Sequence, residues 1–119
     1  MLEERGDLKN AAEYSGRALA IQEKLTPDSL DEASTLSNLA YVANQEGDLK
    51  TAANYRQQAL AIREKQAPDS LAVAGSLLGL GESAYQRGDL SSAVRYFRRA
   101  LDIREQVAPD SLGVASALN

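Results

Sequence analysis

The chain repeats itself at a fixed interval, and that interval leaves few folds open. Gly-Asp-Leu begins at Gly6, Gly47 and Gly88, 41 residues apart each time, and Pro-Asp-Ser-Leu begins at Pro27, Pro68 and Pro109 with the same spacing. Between these landmarks fall Ala18-Leu19-Ala20-Ile21, Ala59-Leu60-Ala61-Ile62 and Ala100-Leu101-Asp102-Ile103. Three anchors in one ungapped register mark a stack of like units, each covering the apolar face of its neighbour.

The landmarks predict where helices stop. Gly47 suits the left-handed residue that closes a helix, and Asp48 can cap the free N–H groups of the next one. Pro68 cannot extend the helix before it, and Asp69 or Ser70 supplies the following cap. Ser29 and Glu32 have the spacing of a capping box. Each unit is therefore a helical hairpin of a helix A and a helix B. The helices are expected as B 7–25, A 29–46, B 48–66, A 70–87 and B 89–107, with a truncated A over 111–119. The apolar residues keep helical spacing, as in Leu71, Ala74, Leu77, Leu80 and Ala84, or Leu90, Ala93, Val94, Phe97, Ala100, Leu101 and Ile103. Small residues (Ala52, Ala59, Gly81, Ala93, Ala100) let helices approach closely. The prediction is an all-α chain with five full helices and a truncated end helix, one solenoid over 1–119 with repeats near 6–46, 47–87 and 88–119.

These residues resemble the tetratricopeptide repeat family. Leu39-Ala40 and Leu80-Gly81 look like the Leu-Gly pair of that family's helix A. Ala52, Ala59, Ala93, Phe97 and Ala100 match the small-and-aromatic spacing of its helix B. The family's usual unit is about 34 residues; the longer unit here, with its Pro-Asp-Ser turns, is similar to the repeats of kinesin light chains and bacterial relatives. Ser15 and Arg56 stand where Phe97 fits the aromatic pattern, with Tyr14 and Tyr55 one residue earlier. The resemblance implies a right-handed superhelix that binds a peptide or protein segment, with A helices lining the concave surface. It places Ser34, Asn38, Tyr41 and Gln45 on that surface, and Gly75, Gly79, Glu82 and Gln86 at equivalent positions in the next A helix. An Asn amide at position 38 both donates to and accepts from an extended backbone.

Composition excludes much else. The chain has no Cys and no His, which removes disulfides, thiolate chemistry and the commonest general base and metal ligand. No catalytic, metal or cofactor site is expected. A net charge of −4 argues against a nucleic-acid partner, and no apolar run suits a membrane or a signal peptide, so a cytoplasmic protein is expected. Arg5-Gly6-Asp7 and Arg87-Gly88-Asp89 spell an adhesion tripeptide, but Glu46-Gly47-Asp48 keeps only what an A-to-B turn needs. Gly75, Gly79 and Gly81 lack the strand and Lys of a phosphate loop. Glu3/Glu4 and Asp31/Glu32 suit helix starts. Arg95, Arg98 and Arg99 interleave with Asp89, Asp102 and Glu105 as a salt-laced outer face.

Charge separates the helices. Segment 28–46 carries Asp28, Asp31, Glu32 and Glu46 with neither Lys nor Arg, whereas segment 48–66 carries Lys50, Arg56, Arg63 and Lys65 against Asp48 and Glu64. The expected groove is neutral to acidic and the basic residues are expected outside. A protein or peptide partner should then be neutral to basic, unlike the acidic chaperone tails that some family members grip with basic residues of helix A.

The ends suggest an alternative: a self-assembling module, or a consensus-like repeat fragment, with no evolved groove ligand. No full A helix stands before Gly6, which predicts that the first B helix exposes some of Leu8, Ala11, Ala12, Leu19 and Ile21. At the other end Leu112, Val114, Ala115 and Leu118 should cover the last B helix in part. A homodimer through end helices is expected, by symmetric pairing of first B helices or by a C-terminal stub filling the missing A position.

Overall fold

A computed structural model describes residues 2–107, with side chains from Gly6 onward. They form α1 (Leu2–Leu25), α2 (Leu30–Gln45), α3 (Leu49–Gln66), α4 (Leu71–Gln86) and α5 (Leu90–Val107), and no strand occurs among them. Each helix packs on the next in sequence, and the α2/α3 and α4/α5 hairpins share the larger interfaces.

The hairpin turns follow from two residues. Gly47 and Gly88 each take φ near +82°, which a Cβ would oppose. Asp48 N donates to Ala43 O at 2.9 Å and Gly47 N to Asn44 O at 3.0 Å. Asp89 N to Ala84 O at 2.8 Å and Gly88 N to Tyr85 O at 3.0 Å repeat the pattern. These paired bonds close the carbonyls of a helix end in a Schellman motif. The same aspartates open the next helix: Asp48 Oδ1 accepts from Thr51 N at 3.1 Å and Asp89 Oδ1 from Ser92 N at 3.2 Å.

At the longer turns serine is the cap and aspartate makes the bend. Ser29 Oγ accepts from Glu32 N at 3.1 Å and Ser70 Oγ from Val73 N at 3.2 Å. Asp28 and Asp69 take the left-handed conformation, with φ of 59° and 54°, a region short polar side chains enter more readily than most. The Glu32 side chain does not return to Ser29 N as a capping box would. Its Oε2 accepts from Asp28 N at 3.2 Å, because the left-handed bend turns that N–H toward the helix. Lys65 Nζ at 3.0 Å from Asp28 Oδ2, and Gln66 Nε2 donating to Asp28 O at 2.7 Å, tie this turn to α3.

One expected turn is absent. Gly6-Asp7-Leu8 lies inside α1, which runs unbroken from Leu2. No described helix packs on this stretch from its N-terminal side to hold a left-handed glycine. Continuing the helix keeps the backbone bonds, at a propensity cost of about 1 kcal/mol for Gly. The expected helix over 111–119, with Leu112 and Leu118, lies outside the described residues.

Every B helix carries two stripes. In α3 the first, Ala52, Tyr55, Ala59 and Ile62, turns to α2. There Ala59 and Ile62 form a core with Ala33 and Leu36, on which Tyr55 and Leu19 pack. The second, Arg56, Leu60 and Arg63, turns to α4, where Leu60 joins Val73, Ala74, Leu77, Leu80, Ala100 and Ile103. In α5 the first stripe is buried at Ala93, Ala100 and Ile103, while Leu90, Val94 and Leu101 of the second are exposed. Two core clusters thus lie on opposite sides of α3, one against α2 and one against α4 and α5, and they fix which face each A helix leaves outward.

Candidate functional site

The outward face of α2 is a single stripe: Ser34, Asn38, Tyr41 and Gln45 are all exposed. They recur every three to four residues because Leu36, Leu39, Ala40 and Ala43 take the opposite side into the core. In α4, Gly75, Glu82 and Gln86 are exposed and Gly79 is half-buried, at the same four levels. All the residues that the sequence assigns to a groove therefore lie on two matching faces. The Gln45 side chain donates to Tyr41 Oη at 2.9 Å, holding the ring, itself 56% exposed, against its own helix. The surface offers amide, hydroxyl and phenol groups, one carboxylate and two bare glycines. It suits hydrogen bonding to an extended chain rather than covalent chemistry.

Gly79 is half-buried because of a residue the sequence reading puts on the outside. A Cβ at Gly79 would lie 3.0 Å from Arg56 Nη1 and 3.3 Å from its Cδ, so the Arg56 side chain runs from α3 onto the face of α4. Its Nε is buried without a hydrogen-bond partner among the described residues. One turn of sequence logic explains the route. Phe97, the repeat equivalent of Arg56, fills the space beside Gly81, where a Cβ would sit 2.5 Å from the ring. In the preceding repeat that glycine is Ala40, whose methyl group excludes a ring placed that way. A slender arginine stem turned toward α4 fits instead. Two stripe positions later on α3, Arg63 Nη1 donates to the buried Ser76 Oγ at 2.6 Å, and burial lowers its pKa from the usual value. The basic residues of α3 are therefore not all external. The available signal was the size swap between repeats: Ser15 and Asn38 stand where Arg56 and Gly79 stand one unit later.

An open hollow lies between α1 and α2. Asp7, Leu8 and Ala11 face Tyr41 and Gln45 around an open hollow of about 450 Å³, so the structure joins two groove residues to two candidates for self-association. Leu19 is elsewhere: it packs on the α2/α3 core. The open side of α1 is instead Ala11, Tyr14, Ile21 and Leu25, beside half-buried Ala18. Their equivalents Ala52, Ala59 and Ile62, and Ala93, Ala100 and Ile103, are buried against A helices.

The remaining charged motifs have structural partners. Hydrogen bonds from Thr51, its side chain first and then its backbone, with Lys50 nearby, lower the Asp48 pKa; Ser92, then Arg87 and Arg95, do the same for Asp89. Arg87-Gly88-Asp89 is the α4–α5 turn. Arg99 pairs with Glu64 Oε1 at 2.6 Å, and Arg95 Nη2 donates to Ser92 Oγ at 3.1 Å. Among the described residues no group of acidic side chains converges as a metal site, and no helix is long and apolar enough to cross a membrane.

Comparison with known proteins agrees with this architecture. The profile described as tetratricopeptide repeat matches residues 1–65 and again residues 31–106. The crystal structure of BtubC (BKLC) from P. vanneervenii superimposes with a TM-score of 0.81 at 25% identity, over 98% of this chain and 47% of that one. A Podosopora anserina protein described as having nearly identical TPR-like repeats of kinesin light chain type gives a TM-score of 0.78 at 19% identity. That match covers 96% of this chain and 56% of that one, so the chain spans about half the length of both structures. No curated protein matches it.

Proposed function

Because the chain belongs to the tetratricopeptide repeat family, whose repeats mediate protein–protein interaction, we propose that it binds an extended peptide or protein segment along the faces of α2 and α4. Ser34, Asn38, Tyr41 and Gln45 would engage it on one helix, and Gly79, Glu82 and Gln86 on the next. The observation that carries this reading is the register of the two exposed stripes, level with each other on helices that hold no Lys or Arg. A neutral to basic segment fits that surface. A peptide-library selection supplies the ligand. Asn38→Ala should then weaken binding by about 1 kcal/mol through lost hydrogen bonds, and Arg98→Ala, on the exposed side of α5, should leave it unchanged. Equal effects from both would refute the assignment.

The open stripe of α1 favours a second reading, self-association of two copies through α1. Ala11, Tyr14, Ile21 and Leu25 form an apolar face whose counterparts in α3 and α5 are largely covered. Symmetric pairing closes the contact and does not propagate.

A further inference from the structure

We infer that the hollow between α1 and α2 seats a lysine or arginine side chain of the bound segment, with Asp7 and Tyr41 as the residues that select it; the inference rests on the groove reading above. The hollow adjoins the exposed face of α2, because Tyr41 and Gln45 belong to both. Leu8 and Ala11 wall it from α1, and Asp7 supplies the charge among its described lining residues.

Asp7 is available because the first repeat departs from the other two. Its equivalents Asp48 and Asp89 cap helices, accepting from Thr51 N and Ser92 N. Gly6 and Asp7 instead lie inside α1, so no helix end takes up the Asp7 carboxylate. Ala52, the equivalent of Ala11, is fully buried, whereas Ala11 is exposed and forms part of the wall. In the second unit Glu82 stands in place of Tyr41, so a ring and a carboxylate do not recur together there.

The lining suits a long cation better than any other side chain. Leu8 and Ala11 offer apolar contact to a methylene stem, while the charged head stays at the open mouth. The exposed Tyr41 ring presents a π face to that head. The bond from Gln45 Nε2 to Tyr41 Oη, at 2.9 Å, holds the ring against α2 and leaves the Gln45 amide oxygen free to accept. Asp7 adds a carboxylate, which a ligand acid would meet as like charge. Lys9 lines the neighbouring hollow with Glu46 rather than this one, and α2 contributes no Lys or Arg. The segment's basic residue thus flanks the stretch whose main chain Asn38 would engage, one turn of α2 away.

The test starts from decapeptides selected from a random library on the intact chain. Each is remade with its basic residue replaced by norleucine. Both forms are titrated against wild type, Asp7→Asn, Tyr41→Leu, Glu46→Gln and Asn38→Ala, with melting curves to show that each variant is folded. Norleucine should weaken binding to wild type by about fivefold, through loss of an exposed ion pair and a cation–ring contact, and high salt should narrow that gap. In Asp7→Asn and in Tyr41→Leu the gap should shrink to about twofold, the share of the contact each leaves. Glu46→Gln removes an equal charge from the neighbouring hollow and should leave the gap unchanged. No enrichment of Lys or Arg among the selected peptides, an undiminished gap in Asp7→Asn, or an equal loss in Glu46→Gln overturns the inference, and the groove reading stands if Asn38→Ala still weakens binding. A dimer of the free chain that Asp7→Asn dissolves puts a second copy in the hollow and overturns it too. Indifference of every selected peptide to Asn38→Ala, or a library that yields no binder, overturns both.

Discussion

Gly81 is a glycine because Phe97 occupies the space its side chain would take, 2.5 Å from a hypothetical Cβ. Gly75 lies in the same helix with nothing within 4 Å. The two should respond oppositely to alanine. Gly81→Ala should destabilise by about 1–3 kcal/mol through overpacking, and Gly75→Ala should stabilise by about 0.5–1 kcal/mol through helix propensity. Urea unfolding midpoints of the two variants check the pair, and destabilisation by both would mean that α4 is seated differently. The capping aspartates give a pH signature. Both Asp48 and Asp89 have lowered pKa values in the folded state, so their contribution is complete above the ordinary carboxylate pKa near 4 and fades as pH falls through the lowered values. Asp48→Asn with Asp89→Asn keeps an acceptor at each cap and should flatten the melting temperature below about pH 4. The turns at Gly47, Gly88, Pro27 and Pro68 were legible because glycine and proline there leave a helix few ways to continue once helices pack on both sides. The partner of Glu32 was not, since it depends on the direction in which Asp28 N points after a left-handed bend.

Helices of B type work by presenting two stripes, and the difference between α1 and α3 is which of them is covered. Ile62 is 7% exposed and its equivalent Ile21 is 58% exposed. Ile62→Glu should abolish cooperative unfolding, since it buries an unpaired charge. Ile21→Glu should change stability by no more than about 0.5 kcal/mol and should lower any dimer fraction seen by light scattering at high micromolar concentration. A strictly monomeric wild type, unaltered by Ile21→Glu, refutes pairing through α1. Ala100, fully buried where α4 and α5 cross, should not accept Leu: about 1–3 kcal/mol of stability should be lost. The sequence carried the stripes themselves, since 3.6-residue periodicity survives in every copy. It did not reveal that Leu19 belongs to the covered stripe of α1, or that Gly6 would be helical. Both depend on which neighbouring helix is present rather than on local preference.

Stacked in order, the five helices build a scaffold whose two core clusters leave repeat-equivalent faces of α2 and α4 outward. The architecture was legible in the 41-residue register read together with the helical apolar spacing and the turn residues, since like helical hairpins bury their apolar faces by stacking. The exposed stripes of the proposed groove were legible, because they follow from helix periodicity. Arg56 escaped because a long side chain can cross from one helix to the next, and charge counted by segment does not record where its guanidinium ends. The central claim is that this shared face is where a partner binds. Chemical-shift mapping by heteronuclear NMR, with a library-selected decapeptide added to the intact chain, tests it most directly. The account predicts that the largest amide and side-chain shifts fall at Ser34, Asn38, Tyr41, Gln45, Gly79, Glu82 and Gln86. Shifts concentrated instead on Ala11, Tyr14 and Ile21 of α1, or on Arg95 and Arg98 of α5, would contradict it.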